Sequence, residues 1–388
     1  MKVVAGTWRP ATGWDPSPEA FAAGSVDGGG RTLLVFFADR DLGADPVHEL
    51  EAALPAATTV GCSTAGQILG EGLADAPMVA AAVHFDSVTP RASWAGLDEA
   101  GTSIKTGELV GQRLALDPTP RRAGTVFVLA DGSLINGTAL VDGLRSVVPF
   151  ELGISGGLAG DGDLFQETWV YADGEARTGA VAAVALIGGS LHVGYGSEGG
   201  WEGFGPYRQV TAAEGNVLHS LDDRPALALY KEYLGEQAAG LPASALNFPL
   251  LIKPPDGSVE LVRTILAVDD ENSTMTFAGD VPVGWSARFM TTTTDRLVDA
   301  AAVAAEAASH AGGGGDMRES AHLTLAVSCV GRRLVLDQRI DEEVEAVAEV
   351  IGRNGTLIGF YSYGEITQKG MFCDLHNQTM TLTTIAEG

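Results

Sequence analysis

The sequence predicts an α/β (α+β) fold: two domains of mixed β-sheet covered by helices, built from repeated strand–helix–strand units. Three observations carry this. LLVFFAD (33–39) and TVFVLAD (125–131) are the same buried-type strand ending in Ala-Asp. Each leads through a helical stretch, PVHELEAAL (46–54) or ALVDGLRSV (139–147), into a glycine-bearing strand, TTVGCSTAGQI (58–68) or LGISGGLAG (152–160). Asp39 to Asp131 and Gly61 to Gly153 are one 92-residue step, so two landmarks keep a common register.

A third copy runs through HLTLAVSCVGRR (322–333), the helix DEEVEAVAEVIG (341–352) and TLIGFYSYGEI (356–366). Gly359, Gly364 and Ile366 fall where Gly61, Gly66 and Ile68 fall in the first copy. Each copy continues into more strand: MVAAAVHF (78–85), GAVAAVALIGG (179–189) with LHVGYG (191–196), and HNQTMTLTTI (376–385). The stretch 214–235 reads as a helical connector interrupted by Asp222, Asp223 and Pro225. Four strands and the helix 294–310 follow it. The glycine run at 311–316 is a helix end and loop, because no Lys-Ser/Thr follows to make a phosphate cradle. The expected domains are residues 1–220 and 221–388.

Composition narrows the function classes. The 388 residues are 45% apolar, with a mean hydropathy of +0.13. The 50 acids against 24 bases leave a net charge of −26, which repels nucleic-acid phosphates and anionic lipid. No run approaches the length of a membrane span, and residues 1–30 show no basic start followed by an apolar core. Three scattered cysteines, Cys62, Cys329 and Cys373, make neither a zinc motif nor a disulfide framework. The expectation is a soluble, acidic, cytoplasmic protein that binds neither nucleic acid nor membrane.

The words GCSTAGQI (61–68), GGLAGDGDLF (156–165) and SCVGRR…GFYSYGEI…HNQTMTL (328–382), in this order, resemble the FIST family in its N-terminal and C-terminal halves. Pro225-Ala226-Leu227 and Phe248-Pro249-Leu250 extend the resemblance, which spans roughly residue 25 to the last strand. It implies a bacterial-type sensory module of intracellular signal transduction, whose ligand is a small molecule such as an amino acid. Such modules stand alone or are joined to chemotaxis, histidine-kinase or cyclic-dinucleotide output domains. A similar module occurs in a eukaryotic F-box protein. Since 388 residues leave no room for a fused output domain, the signal is expected to pass to a separate partner, such as a histidine kinase or other output protein. Some family members are haem-based nitric-oxide sensors, so haem is the alternative to an expectation of no cofactor, with His376 as its ligand.

The candidate ligand-binding residues cluster at the strand ends. Backbone N–H groups of Cys62, Ser63, Thr64, Gly156, Gly157 and Asp161 are expected to approach a ligand carboxylate or carbonyl; tight turns alone also account for the glycines. Glu365, beside Tyr361 and Tyr363, can accept an amine or be a solvated strand-end acid. Arg332 can pair with Glu365, hold a ligand carboxylate or make a structural salt bridge. Asn377 and Thr379 share one face of the last strand and line the pocket or stabilise the strand entry. A thiol enzyme using Cys62 or Cys329, with His376 as base, is the reading from another class. Gln67 stands where Glu365 stands, which argues against a shared acid-catalytic role.

Overall fold

The computed structural model describes the whole chain except residues 26–28, 117–122, 242, 312–314 and 371. Mixed sheets covered by helices are present, as expected, and each repeat supplies one sheet. In the first, Thr32–Ala38 lies parallel to Thr58–Ser63 and antiparallel to Met78–His84, with Lys2–Arg9 beyond. In the second, Ala123–Ala130 lies between Gly153–Leu158 and Ala180–Gly188, with Arg91–Gly96 beyond. In the third, His322–Cys329 lies between Gly355–Ser362 and Met380–Glu387, with Leu191–Glu198 beyond.

The repeats are locked together by cyclic exchange. Gln67–Leu69 leaves the first repeat and pairs with Gly355–Ser362 of the third. Val170–Ala172 of the second pairs with Thr58–Ser63 of the first. Gly364–Lys369 of the third pairs with Gly153–Leu158 of the second. One edge of each repeat's sheet is thus covered by a neighbour, which satisfies backbone groups that would otherwise lie open.

Alternation along the strands divides the side chains between two environments. Leu33, Val35, Phe37, Phe127, Leu129, Leu323, Leu325 and Val327 point into one core shared by all three sheets. The opposite faces are covered by helices. Leu34 and Phe36 pack under Pro18–Ala22 and Val47–Ala53, and Val126 and Val128 under Ser103–Arg113 and Gly137–Arg145. Thr294–Ala308 and Ile340–Ile351 cover the third sheet. Burial on both faces is why these strands read as unbroken apolar runs, each large side chain contributing about 1.5–3 kcal/mol.

Between Leu191–Glu198 and His322–Cys329 the third repeat carries an inserted, wholly antiparallel eight-stranded sheet. It has its own core, including Leu218, Tyr230, Ile252, Phe277 and Phe289. Two readings of the sequence change here. Val217–Leu221 is a strand of this sheet, hairpinned onto Glu202–Glu214, and only Ala226–Leu234 of the expected connector is helical. The sheet therefore draws on both sides of residue 220. The last strand starts at Met380, because Asn377 and Gln378 form a turn with Gln378 at φ +63°.

The 92-residue step also shifts. Gly61, Gly156 and Gly359 hold the equivalent position, facing Phe36, Val128 and Ala326. Three extra residues in the second repeat put Gly156 where Gly153 was expected. A Cβ at any of the three would collide with the facing residue, so these glycines serve close strand approach.

Candidate functional site

The carboxyl ends of the three parallel strand pairs meet, and their loops interlock. Gly160 and Gly162 donate N–H bonds to the carbonyls of Ser63 (3.0 Å) and Thr64 (3.3 Å). Ala65 N–H bonds the Tyr361 carbonyl and Tyr361 N–H bonds that of Gly66, each at 2.8 Å. Tyr363 N–H closes the ring on Leu158 at 3.2 Å. The loops at 62–66 and 156–161 are brought together, and the N–H groups of Thr64, Ala65, Gly160 and Asp161 are taken by protein acceptors. Thr64 N–H bonds Ala38, and Asp161 N–H bonds the Tyr363 hydroxyl.

Cys62 lies in the shared core, where burial pushes its thiol well up. Ser63 is equally buried and its hydroxyl accepts Trp169 N–H at 3.0 Å. Gly157 packs against Val327 and Phe360, with no room for a Cβ. These three are structural.

The first repeat's strand end opens into a cleft of about 1040 Å³. Thr64, Gly66, Gln67 and Asp39 come from the first repeat, Asp161 from the second and Arg333 from the third. Arg9 and Arg40 complete the basic lining among Asp41 and Asp75. Gln67 Nε2 donates to Asp39 at 2.8 Å, fixing both at the floor. Arg333 donates to the Ala65 carbonyl and stands 5.9 Å from the Tyr361 ring centre. Arg40 Nη1 lies 3.7 Å from Asp161. Burial pulls the Asp161 carboxyl up, but the Tyr363 hydroxyl and the N–H groups of Glu167, Gln166 and Phe165 outweigh it and hold the group below its ordinary value. An ionised Asp161 beside Arg40, with Arg9 and Arg333 elsewhere in the lining, makes a cleft of both signs.

The third repeat's strand end is closed. Register places Glu365 where Gln67 sits: Gly157 pairs with Glu365 as Phe360 pairs with Gln67. Cys329 likewise replaces Asp39. Glu365 is fully buried, accepting Ser362 Oγ (2.8 Å), Thr379 N–H (3.1 Å) and Thr379 Oγ1 (3.0 Å). Burial raises its pKa to about 8. Burial also pushes the Cys329 thiol up, and Glu365 adds to this once it ionises. Both groups are held protonated, which removes the solvated-acid reading and the thiolate that a nucleophile needs.

Arg332 is buried but does not meet Glu365 or a cavity. It forms an ion pair with Glu343 at 2.8 Å and donates to the carbonyls of Gly199 and Leu297, both at 2.7 Å. Tyr361 and Ser328 hydroxyls complete the Glu343 shell at 2.9 and 3.2 Å. Of the three roles open to Arg332, the structural salt bridge is the one present. Asn377 is buried with neither amide atom bonded to protein. The inserted segment caps this end, with Trp201 bonded to the Gln378 carbonyl at 2.9 Å and Leu246 beside the Gln378 amide. His376 pairs with Glu365 in the sheet and burial drives its pKa down to about 3. His376 is buried and lines none of the four described cavities.

Thr64 and Asp161 are thus the expected residues that reach the cleft, and Tyr363 reaches it through Asp161. Arg9, Arg40, Arg333, Asp39 and Gln67 were not anticipated as its lining. Asp39 and Gln67 were visible as repeat landmarks, and Arg333 as the neighbour of Arg332. Among the described residues no group of His, Cys, Asp or Glu is placed to hold a metal ion, and no helix is long and apolar enough to cross a membrane.

The model of the FIST N domain matches residues 32–224 and that of the FIST C domain residues 226–368. Among solved structures, the chain is similar to cyanuric acid hydrolase from A. caulinodans, at 11% identity and a TM-score of 0.35, covering 100% of this chain and 98% of that one. Comparison with curated proteins gives no match. The two family models together account for nearly the whole chain, which belongs to the FIST family, whose domains are sensory domains of signal transduction.

Proposed function

We propose that this protein is a sensor that captures a small ligand, an amino acid or a similar metabolite, in the cleft at the first repeat's strand ends, and signals to a separate output protein such as a histidine kinase. The observation that supports this is the gathering of Arg9, Arg40 and Arg333 around one cleft in a chain of net charge −26. A guanidinium offers forked donors to a carboxylate, and Asp39 or Asp75 on the same wall suits an ammonium group. A zwitterion satisfies both signs. Because the cleft wall comes from all three repeats, a bound ligand favours one arrangement of them over others. Arg333 adjoins Arg332, which grips the root of the inserted sheet at Gly199, so that sheet is the surface best placed to report occupancy.

The test is a thermal-shift panel of the common amino acids and related metabolites. At a concentration 100 times Kd, a true ligand adds about 2.7 kcal/mol of stability, an upward shift of several degrees. Arg333→Ala and Arg40→Ala are expected to abolish that shift. A panel that moves nothing, or ligands that bind both variants as well as the wild type, would overturn the assignment.

A further inference from the structure

We propose a second binding site, for a small uncharged aromatic molecule, in the crevice between the second repeat and the inserted sheet. This crevice measures about 250 Å³ and lies between residues 132–137 on one side and Asn216, Leu266 and Phe277 on the other. A dry cavity of about 150 Å³ already accepts benzene, so the volume suits a ring with one polar substituent.

Three properties select the ligand class. The lining holds no charged side chain, in contrast to the cleft, so it offers neither a counter-ion for an anion nor one for a cation. Its rim exposes Leu134 (60%), Phe165 (47%) and Leu266 (46%), apolar surface that a core would normally cover. Phe165 and Tyr363 are stacked, ring centres 4.5 Å apart and planes within 16°, so a third planar group can extend the stack. The polar edge is set by Ser133 and by Asn216, whose amide nitrogen donates to the Phe277 carbonyl at 2.7 Å and leaves the side-chain oxygen as an acceptor.

The backbone supports a functional reading. Phe165 stands at φ +53°, a region that bulky residues rarely adopt. Its N–H is held there by Asp161 Oδ1 at 2.9 Å and by the Tyr363 hydroxyl at 3.1 Å. Strain maintained to present an aromatic ring partly to solvent is characteristic of a binding surface. The same segment faces both cavities: Asp161, Gly162 and Leu164 line the cleft, whereas Phe165 and Tyr363 line the crevice. The Tyr363–Asp161 hydrogen bond joins the two. A molecule that moves Tyr363 therefore acts on an acid of the cleft, although the crevice site does not depend on what the cleft binds.

The experiment is a titration of full-length protein, methyl-labelled at Ile and Leu, with indole followed by NMR. The expected result is saturable shifts at Leu134, Ile135, Leu158 and Leu266, larger than those at Leu42 and Leu73 of the cleft, and a Kd on the order of 0.1–1 mM. Phe165→Ala should weaken binding by about tenfold. Leu266→Ser, at an exposed position, should weaken it as well and serves if Phe165→Ala does not fold. Absence of saturation, shifts confined to other methyls, or unchanged affinity in the folded variants would each overturn the proposal.

Discussion

The first and third repeats end in the same backbone position and turn it to opposite uses. In the first, Gln67 bonds Asp39 at the floor of a cleft open to solvent and rimmed by arginines. In the third, Glu365 and Cys329 take those positions beneath Trp201, Gln378 and the inserted sheet, where burial keeps both protonated. A carboxylate would look the more functional of the two side chains, yet it is the amide that faces a cavity. Burial decides: an acid kept protonated at neutral pH and out of reach is a hydrogen-bonding strut, here accepting from Ser362 and Thr379. Beyond Thr379, hydroxyl contacts continue to Thr381 (3.2 Å) and Ser197 (3.1 Å), so the closed end is a polar seam inside the fold.

The largest effects should separate two adjacent arginines. Arg332→Ala leaves Glu343 buried and unpaired and is expected to cost about 3–5 kcal/mol of stability, measured by urea unfolding. Arg333→Ala, at the cleft, should change stability by less than about 1 kcal/mol while removing ligand binding. Equal stability losses would erase the distinction between the two ends.

Next comes pH. Glu365 titrates at about 8 in the folded protein against 4.5 unfolded, so between these values the native state holds a proton that the unfolded chain has released. Its stabilising share is complete below the unfolded value and declines as pH rises through the folded one, by on the order of a few kcal/mol. Glu365→Gln, which copies the first repeat, should flatten that decline and make the variant the more stable protein at pH 9. A pH profile identical to the wild type would contradict a protonated Glu365.

The reciprocal change, Gln67→Glu, sets a carboxylate against Asp39 and replaces a 2.8 Å hydrogen bond by repulsion. Because Asp39 is exposed to water although Gln67 is buried, the expected cost is about 1–3 kcal/mol, with weaker ligand binding as the accompanying readout. The smallest effect concerns the thiols. Cys62 and Cys329 should resist alkylation at neutral pH in the native protein and react once it is unfolded, since burial raises both pKa values.

Much of the fold was legible because it repeats. Strands buried on both faces announce themselves as LLVFFAD and TVFVLAD, and Gln67 and Glu365 emerge as counterparts from spacing alone. The exchange of strands was not legible, because Gln67–Leu69 pairs with a strand almost 300 residues away and nothing local encodes that partner. VLHSL (217–221) was read as helical because five residues carry too little periodicity to separate helix from strand. The site shifted for a related reason. Glycines at strand ends look alike whether they approach a ligand or another strand, and here Gly61, Gly156 and Gly359 approach strands. Nor does sequence say which of Arg332 and Arg333 turns inward; the buried Glu343 does.

The central claim is that recognition belongs to the open end and structure to the closed one. Isothermal titration of the thermal-shift hit into three proteins tests it most directly: wild type, Arg333→Ala and Glu365→Gln. The prediction is binding lost in Arg333→Ala and retained within about twofold in Glu365→Gln. Binding retained by Arg333→Ala and lost in a folded Glu365→Gln would contradict the account and return the site to the third repeat.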